Sequence, residues 1–365
     1  MSTRGGPRSA QALAFALLFV VSGACALTYQ VVWSRLLASI FGVTAFAVST
    51  VLVSFMGGMA LGAYLLGSRV DRAARPLRVF AMLEAGIGAY ALLLPLLLAA
   101  AGGLYDQLFP LLPDSFLLKS SIRFVMSLSL LLVPTMLMGG TLPALGRGLL
   151  RRKDRVGLAI GLLYFVNTLG AAIGCFLAGF WLLPRLGLSR TTWLAVAFNF
   201  AVAATAFLLD RKAVPEAAET DARADGRETG GGTALTTPRS WPFWVAFGSG
   251  LAALAFEVVW FRVLVLVFGS TVYSFSAMLS VFLLGLAIGS AVFGPWSDRA
   301  RVPVRLLALT QGCVAVTALA GSLAVNHIPL LFLSTLRDFG ITYEGMTRTK
   351  LVLSFLTIFP PALAF

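Results

Sequence analysis

Long apolar stretches alternate with short polar ones along this chain. They fall at roughly 11–33, 43–67, 77–102, 124–146, 157–183 and 190–209, then at 243–266, 272–295, 303–325 and 350–365, where the last is cut off. A helix needs about 20 apolar residues to cross a hydrocarbon core. In lipid the backbone must satisfy its own hydrogen bonds, which leaves helices or closed barrels. The stretches are continuous and lack the alternation of a barrel strand. The pattern therefore predicts an all-α, polytopic transmembrane helix bundle. One polar interval is long: Asp210–Ser240, DRKAVPEAAETDARADGRETGGGTALTTPRS. It has almost nothing to bury and reads as a disordered linker. The predicted organisation is a six-helix bundle over 1–209, the linker over 210–240, and the start of a second bundle of about four spans over 241–365.

Composition agrees with this pattern. Of 365 residues, 59% are hydrophobic and 12% charged, where a soluble protein is about one quarter charged. Mean hydropathy is +0.91. The net charge of +13 does not mark a nucleic-acid partner, because no basic stripe with interleaved aromatics is present. The basic residues instead favour alternate loops. With the N-terminus inside, 19 lie at inside positions and 9 outside, which places the N-terminus and the linker in the cytoplasm of a multi-pass cell-membrane protein. Cys25, Cys175 and Cys313 each lie within an apolar run and His327 just after one. That distribution predicts no metal site and no cofactor. Arg4 and Arg8 before an apolar run ending Ala24-Cys25-Ala26 resemble a signal peptide, but the same run recurs at 249–254, where none can sit.

That recurrence is part of a repeat. Ser22–Phe80 aligns without a gap on Ser249–Leu307, at an offset of 227, with 24 of 59 positions identical. The matches include Trp33/Trp260, Arg35/Arg262 and Asp71-Arg72/Asp298-Arg299, which chance similarity between apolar helices does not produce. Both copies enter the membrane from the same side, so the repeat is parallel. Two parallel repeats of six spans, the second incomplete, resemble the major facilitator superfamily, whose binding site lies between the halves near the bilayer midplane. Gly67-Ser-Arg-Val-Asp71-Arg72-Ala-Ala-Arg75 and Gly294-Pro-Trp-Ser-Asp298-Arg299 are similar to that superfamily's Gly-xxx-Asp-Arg-x-Gly-Arg loop, although the middle glycine is Ala in one copy and Arg in the other. The resemblance implies a conformational latch at Asp71, Arg72, Asp298 and Arg299. The glycines at 161, 170, 174 and 179 resemble an antiporter motif, but close helix packing explains their spacing.

The strings SGACALTYQVVWSRLL, SGLAALAFEVVWFRVL, PTMLMGGTLPAL and YFVNTLGAAIGCFLAGFWLLPRLGL together resemble the membrane part of fused transporter-like/spermidine-synthase proteins. That resemblance implies a covalently following cytosolic aminopropyltransferase-like domain, which would lie beyond Phe365. It leaves three functions open. The chain is a transporter-like domain for polyamines or related cations, a membrane anchor or scaffold for the synthase-like domain, or a proton-coupled drug antiporter. The expected partners are the lipid bilayer and a small cationic substrate such as a polyamine, with no catalytic site in this chain.

Few residues within the spans can carry chemistry. Glu84 and Glu257 are the carboxylates there, and an ionisable group in hydrocarbon costs at least about 2.5 kcal/mol at the centre. Glu257 replaces Gln30 of the first copy. It reads either as a proton or amine carrier or as a boundary residue beside the interfacial anchors Trp260 and Arg262. Glu84 reads as a snorkelling or helix-N-terminal carboxylate. Tyr164 and Asn167, three apart, share a helix face, where they line a cavity or bond between helices. Pro134, Pro143 and Pro184 are expected to kink or end helices.

Overall fold

A computed structural model describes residues 7–41, 45–149, 156–212, 241–269, 271–300 and 302–365, and these form helices joined by short turns. The first half comprises α1 (Pro7–Phe41), α2 (Ala45–Asp71), α3 (Pro76–Leu108), α4 (Phe116–Leu149), α5 (Val156–Leu177) and α6 (Leu183–Lys212). The second comprises α7 (Trp241–Phe268), α8 (Val272–Arg299), α9 (Pro303–Ala324), α10 (Ile328–Phe339) and α11 (Tyr343–Ala364). Among the described residues, eight helical segments are long and apolar enough to cross a membrane. One of them, Ile160–Arg211, holds two expected spans in series. They part at Gly187, whose φ of 73° breaks the helical path in a region that glycine enters without steric cost. Large apolar side chains such as Leu96, Trp193 and Leu266 lie exposed on the outside, as a bundle solvated by acyl chains requires.

The linker was expected from Asp210, but α6 continues through Lys212. Residues 213–240 lie outside the described residues. Asp210 is buried at the end of α6, where its Oδ2 meets Arg75 Nη1 at 3.4 Å and Arg78 Nε at 3.2 Å. The Arg78 guanidinium also sits 5.3 Å from the centre of the Phe207 ring. These contacts tie the α2–α3 turn to the end of α6. Helix α4 runs through both Pro134 and Pro143 without ending. Before Pro184 the chain loosens into a π-helical turn, Ala178–Leu182, which relaxes the ladder where proline has no N–H to donate. Helix α10 answers to no expected span.

The 227-residue repeat is present in contacts well beyond the aligned segment. Ser115 Oγ accepts from Leu118 N at 3.4 Å at the start of α4, and Thr342 Oγ accepts from Gly345 N at 3.0 Å at the start of α11. Both are N-caps satisfying an orphan donor. Pro76 and Pro303 open α3 and α9, a position where the missing N–H costs nothing. A side-chain carbon at Gly58 or Gly62 of α2 would overlap Thr135 or the Met136 carbonyl of α4, and one at Gly285 or Gly289 of α8 would overlap Ala362 or the Leu363 carbonyl of α11. Each pair is the other displaced by the same offset.

Glycine also sets the seam between the halves. Helix α5 crosses α8 with Gly161 against Ser290 and Gly294 at one end, and at the other Gly179 of the following π-helical turn meets Ser276. Cys175 Sγ lies 3.7 Å from the Ser276 carbonyl oxygen between them. The opposite face of α5 packs on α1, where Gly170 meets the Val20 carbonyl and Gly174 the Ala24 carbonyl. Small residues at this spacing let backbones touch where lipid offers no hydrophobic drive for association.

The glycine contacts give a direct test. Gly62→Val and Gly289→Val should each lower unfolding stability by about 3 kcal/mol through overpacking. Gly57→Ala should not, because nothing lies within 4 Å of its added carbon. Thermal unfolding in lipid nanodiscs reads the difference.

Candidate functional site

Glu257 lies eleven residues before the end of α7 at Phe268, about 16 Å along the helix axis. That is roughly half of a ~30 Å hydrocarbon core, so the boundary reading does not fit. Glu257 is half-buried on the wall of a small cleft with a cavity volume of about 20 Å³. The wall combines Leu52 of α2 with Trp260 and Phe261 of α7, Phe275, Met278 and Phe282 of α8, and Ile358 of α11. Both halves therefore contribute to it, and Glu257 is its one charged lining residue. Phe261 meets Phe275 edge-on with ring centroids 5.6 Å apart. A single carboxylate among aromatic faces suits a cation carrying apolar surface, because ring faces are electrostatically negative.

The other expected site residues divide. Tyr164 of α5 is 38% exposed and is not part of the lining of this cleft. Asn167 is directed elsewhere. Its backbone and side-chain oxygens press on α1 at Gly23, so it belongs to helix packing. Gln30, the counterpart of Glu257, is fully buried, and neither amide atom has a hydrogen-bond partner. It sits between Tyr29 and Val31, members of a core cluster that also takes in Phe275, Leu279 and Leu283 of α8. The repeat thus places a buried amide at one position and a half-buried carboxylate at the other.

Glu84 departs from its expected role. It does not snorkel: it is wholly buried two turns into α3. Ser22 of α1 donates its hydroxyl to Oε1, and Asn199 of α6 donates Nδ2–H to Oε2 at 2.5 Å. Ser22 and Asn199 were not singled out in the sequence. The available signal was a serine in each repeat copy, Ser22 and Ser249, with Asn199 as the one side-chain amide inside the sixth span. Lys350, counted with the outside charges, is also buried, with its ammonium 3.2 Å from Ser274 Oγ of α8. Among the cysteines, Cys25 and Cys175 are buried and Cys313 is exposed on α9.

The expected latch is described in part. Asp298 closes α8 and its Oδ2 accepts from Leu158 N at 2.8 Å, in the first turn of α5. A carboxylate there meets unsatisfied N–H groups and the positive end of the helix dipole. This bond joins the halves at the end of the seam where Gly161 meets Gly294. Arg72 and Arg299 are exposed, and the side chain of Asp71 lies outside the described residues. At the same end of the first half, Arg147 of α4 donates to the Val70 carbonyl at 2.7 Å, a cation at a helix C-terminus.

No curated protein matches this chain significantly. A family model, the Major Facilitator Superfamily, matches residues 13–364, and with the parallel helical repeat already described, the chain belongs to that superfamily.

Proposed function

We propose that this chain carries small organic cations across a membrane by alternating access, with Glu257 as the counter-charge for the bound ammonium group. The observation that supports this reading is one mid-span carboxylate on an aromatic-lined cleft shared by the two halves. A bound amine neutralises Glu257 and brings its apolar body against Trp260, Phe261, Phe275 and Phe282. One carboxylate balances one ammonium group. The cleft therefore favours a monovalent amine with apolar surface over a polyamine, whose further charges would be left without a partner. The orientation with the N-terminus in the cytoplasm of the cell membrane rests on the distribution of basic residues.

The alternation uses the α5–α8 seam as its pivot, because the helices touch there through backbone and small side chains. Asp298 at the N-terminus of α5 favours the arrangement in which this end is closed. An exposed charged group at such a site is worth about 0.3–1 kcal/mol.

Transport into proteoliposomes tests the reading, with tetraphenylphosphonium and spermidine as probes. Tetraphenylphosphonium should accumulate faster than spermidine, and Glu257→Gln should lower its uptake by at least about tenfold, the effect of losing ~1.4 kcal/mol of binding. Wild-type protein that moves neither probe would sink the proposal. Asp298→Ala should separately increase access of a water-soluble thiol reagent to a cysteine placed at Leu158, since the closed state has lost its bond. Unchanged labelling would remove Asp298 from the mechanism.

A further inference from the structure

The repeat gives Glu84 a counterpart against which its chemistry can be read. At the offset of 227 residues, Ser22 becomes Ser249 and Glu84 becomes Gln311. The second pair is also hydrogen-bonded, with Gln311 Nε2 donating to Ser249 Oγ at 3.1 Å. The same two helices of each half are therefore joined by the same pair of positions, but the bond runs in opposite directions. In the second half the α9 side chain donates and serine accepts. In the first half serine donates and the α3 carboxyl group accepts.

A glutamine is sufficient for the joining role, as the second half demonstrates. What glutamate adds is a proton that can leave. An ionised carboxylate only accepts, whereas a protonated one also donates. The bond in the second half displays the pattern that protonated Glu84 would adopt, with its O–H directed to Ser22 Oγ. Ser22 would then donate to a carbonyl of its own helix, as Thr28 does to Ala24 O at 2.8 Å. Asn199 Nδ2 serves an acid oxygen in either form, while Asn199 Oδ1 is buried without a hydrogen-bond partner.

We propose that Glu84, Ser22 and Asn199 form a proton-exchange site inside the first half, apart from the cleft at Glu257, in which loss of the proton reverses the Ser22–Glu84 bond. The departing proton passes to water when the α1–α3–α6 seam opens, leaving a carboxylate held by the Ser22 hydroxyl and the Asn199 amide. Among the described residues no lysine or arginine pairs with Glu84, so no fixed cation holds it in the ionised form. The titratable groups facing it are Cys25, whose thiol donates to the Ala195 carbonyl, and Tyr29, both on α1. At this level α6 presents Asn199, with Asp210 three turns on and paired with Arg75 and Arg78. The charged residues of α4 and α2 are Lys119, Arg123, Arg147, Arg69 and Asp71, towards the ends of those helices.

Infrared difference spectroscopy on the purified full chain in lipid, titrated over pH, tests this without reference to any transported solute. Wild-type protein should show the C=O band of a protonated carboxyl group that disappears as pH rises. Glu84→Gln, the residue the second half already uses, should remove that band, while Glu257→Gln leaves it in place. Ser22→Ala keeps the carboxyl group but removes its partner, and should shift the band in frequency. If the band survives Glu84→Gln, the proposal is overturned. If Glu84→Gln does not fold, Ser22→Ala decides, and an unmoved band overturns the proposal equally. A purely structural role would lower thermal stability in both variants without altering any pH-dependent band.

Discussion

Backbone-to-backbone contact at glycine is the interaction on which this molecule depends. Helices in lipid gain nothing by hiding apolar side chains from one another, since acyl chains solvate those side chains as well. Association comes from dispersion and close fit, which are strongest where no side chain intervenes. Here the contacts fall at Gly62 on Met136, Gly289 on Leu363, Gly174 on Ala24 and Gly161 on Gly294. The first two hold each half together in the same way, and the third fastens α5 to its own half. The fourth brings that same helix against the other half. Helix α5 is therefore clamped on one face and applied to a partner on the other, which makes it the natural axis for motion between halves.

Against this framework the polar residues stand out by where the repeat is broken. At two pairs of repeat-related positions each half carries one carboxylate and one glutamine, exchanged between the halves. Gln30 and Glu84 lie in the first half, with Glu257 and Gln311 as their counterparts. Glu257 is placed on the wall between the halves, and Glu84 is sealed between three helices of one half. A duplicated scaffold tolerates such exchange because an amide fills almost the same volume as a carboxyl group and bonds in similar directions. What changes is the ability to hold a charge.

Much of the fold was legible in the sequence because lipid imposes coarse demands. Span length, the sparse charges and the repeat of Trp33 and Trp260 were enough for the helical bundle and the parallel halves. The continuation of α6 past Asp210 was not legible, since a polar residue ends a span in hydropathy but not in hydrogen bonding. Asp210 stays helical because Arg75 and Arg78 await it. Glu84 was misread for a related reason. Its distance from the start of the apolar run suggested a boundary position, but its partners came from α1 and α6, far away in sequence. Asn167 shows the converse, a polar residue at mid-span whose position invited a role in a cavity and whose contacts serve Gly23.

The two carboxylates also sit at different heights. Helices α3 and α7 begin at the same end of the bundle. Glu84 lies eight residues into α3 and Glu257 sixteen residues into α7, about 12 Å and about 24 Å along their axes. A positive charge passing from one level to the other crosses roughly 0.4 of a ~30 Å hydrocarbon core. With ~2.3 kcal/mol per elementary charge for each 100 mV, that step carries about 1 kcal/mol of electrical work per 100 mV. The exchange of acid for amide between the halves thus sets the chain's two mid-span carboxylates at different depths of the membrane's electric field.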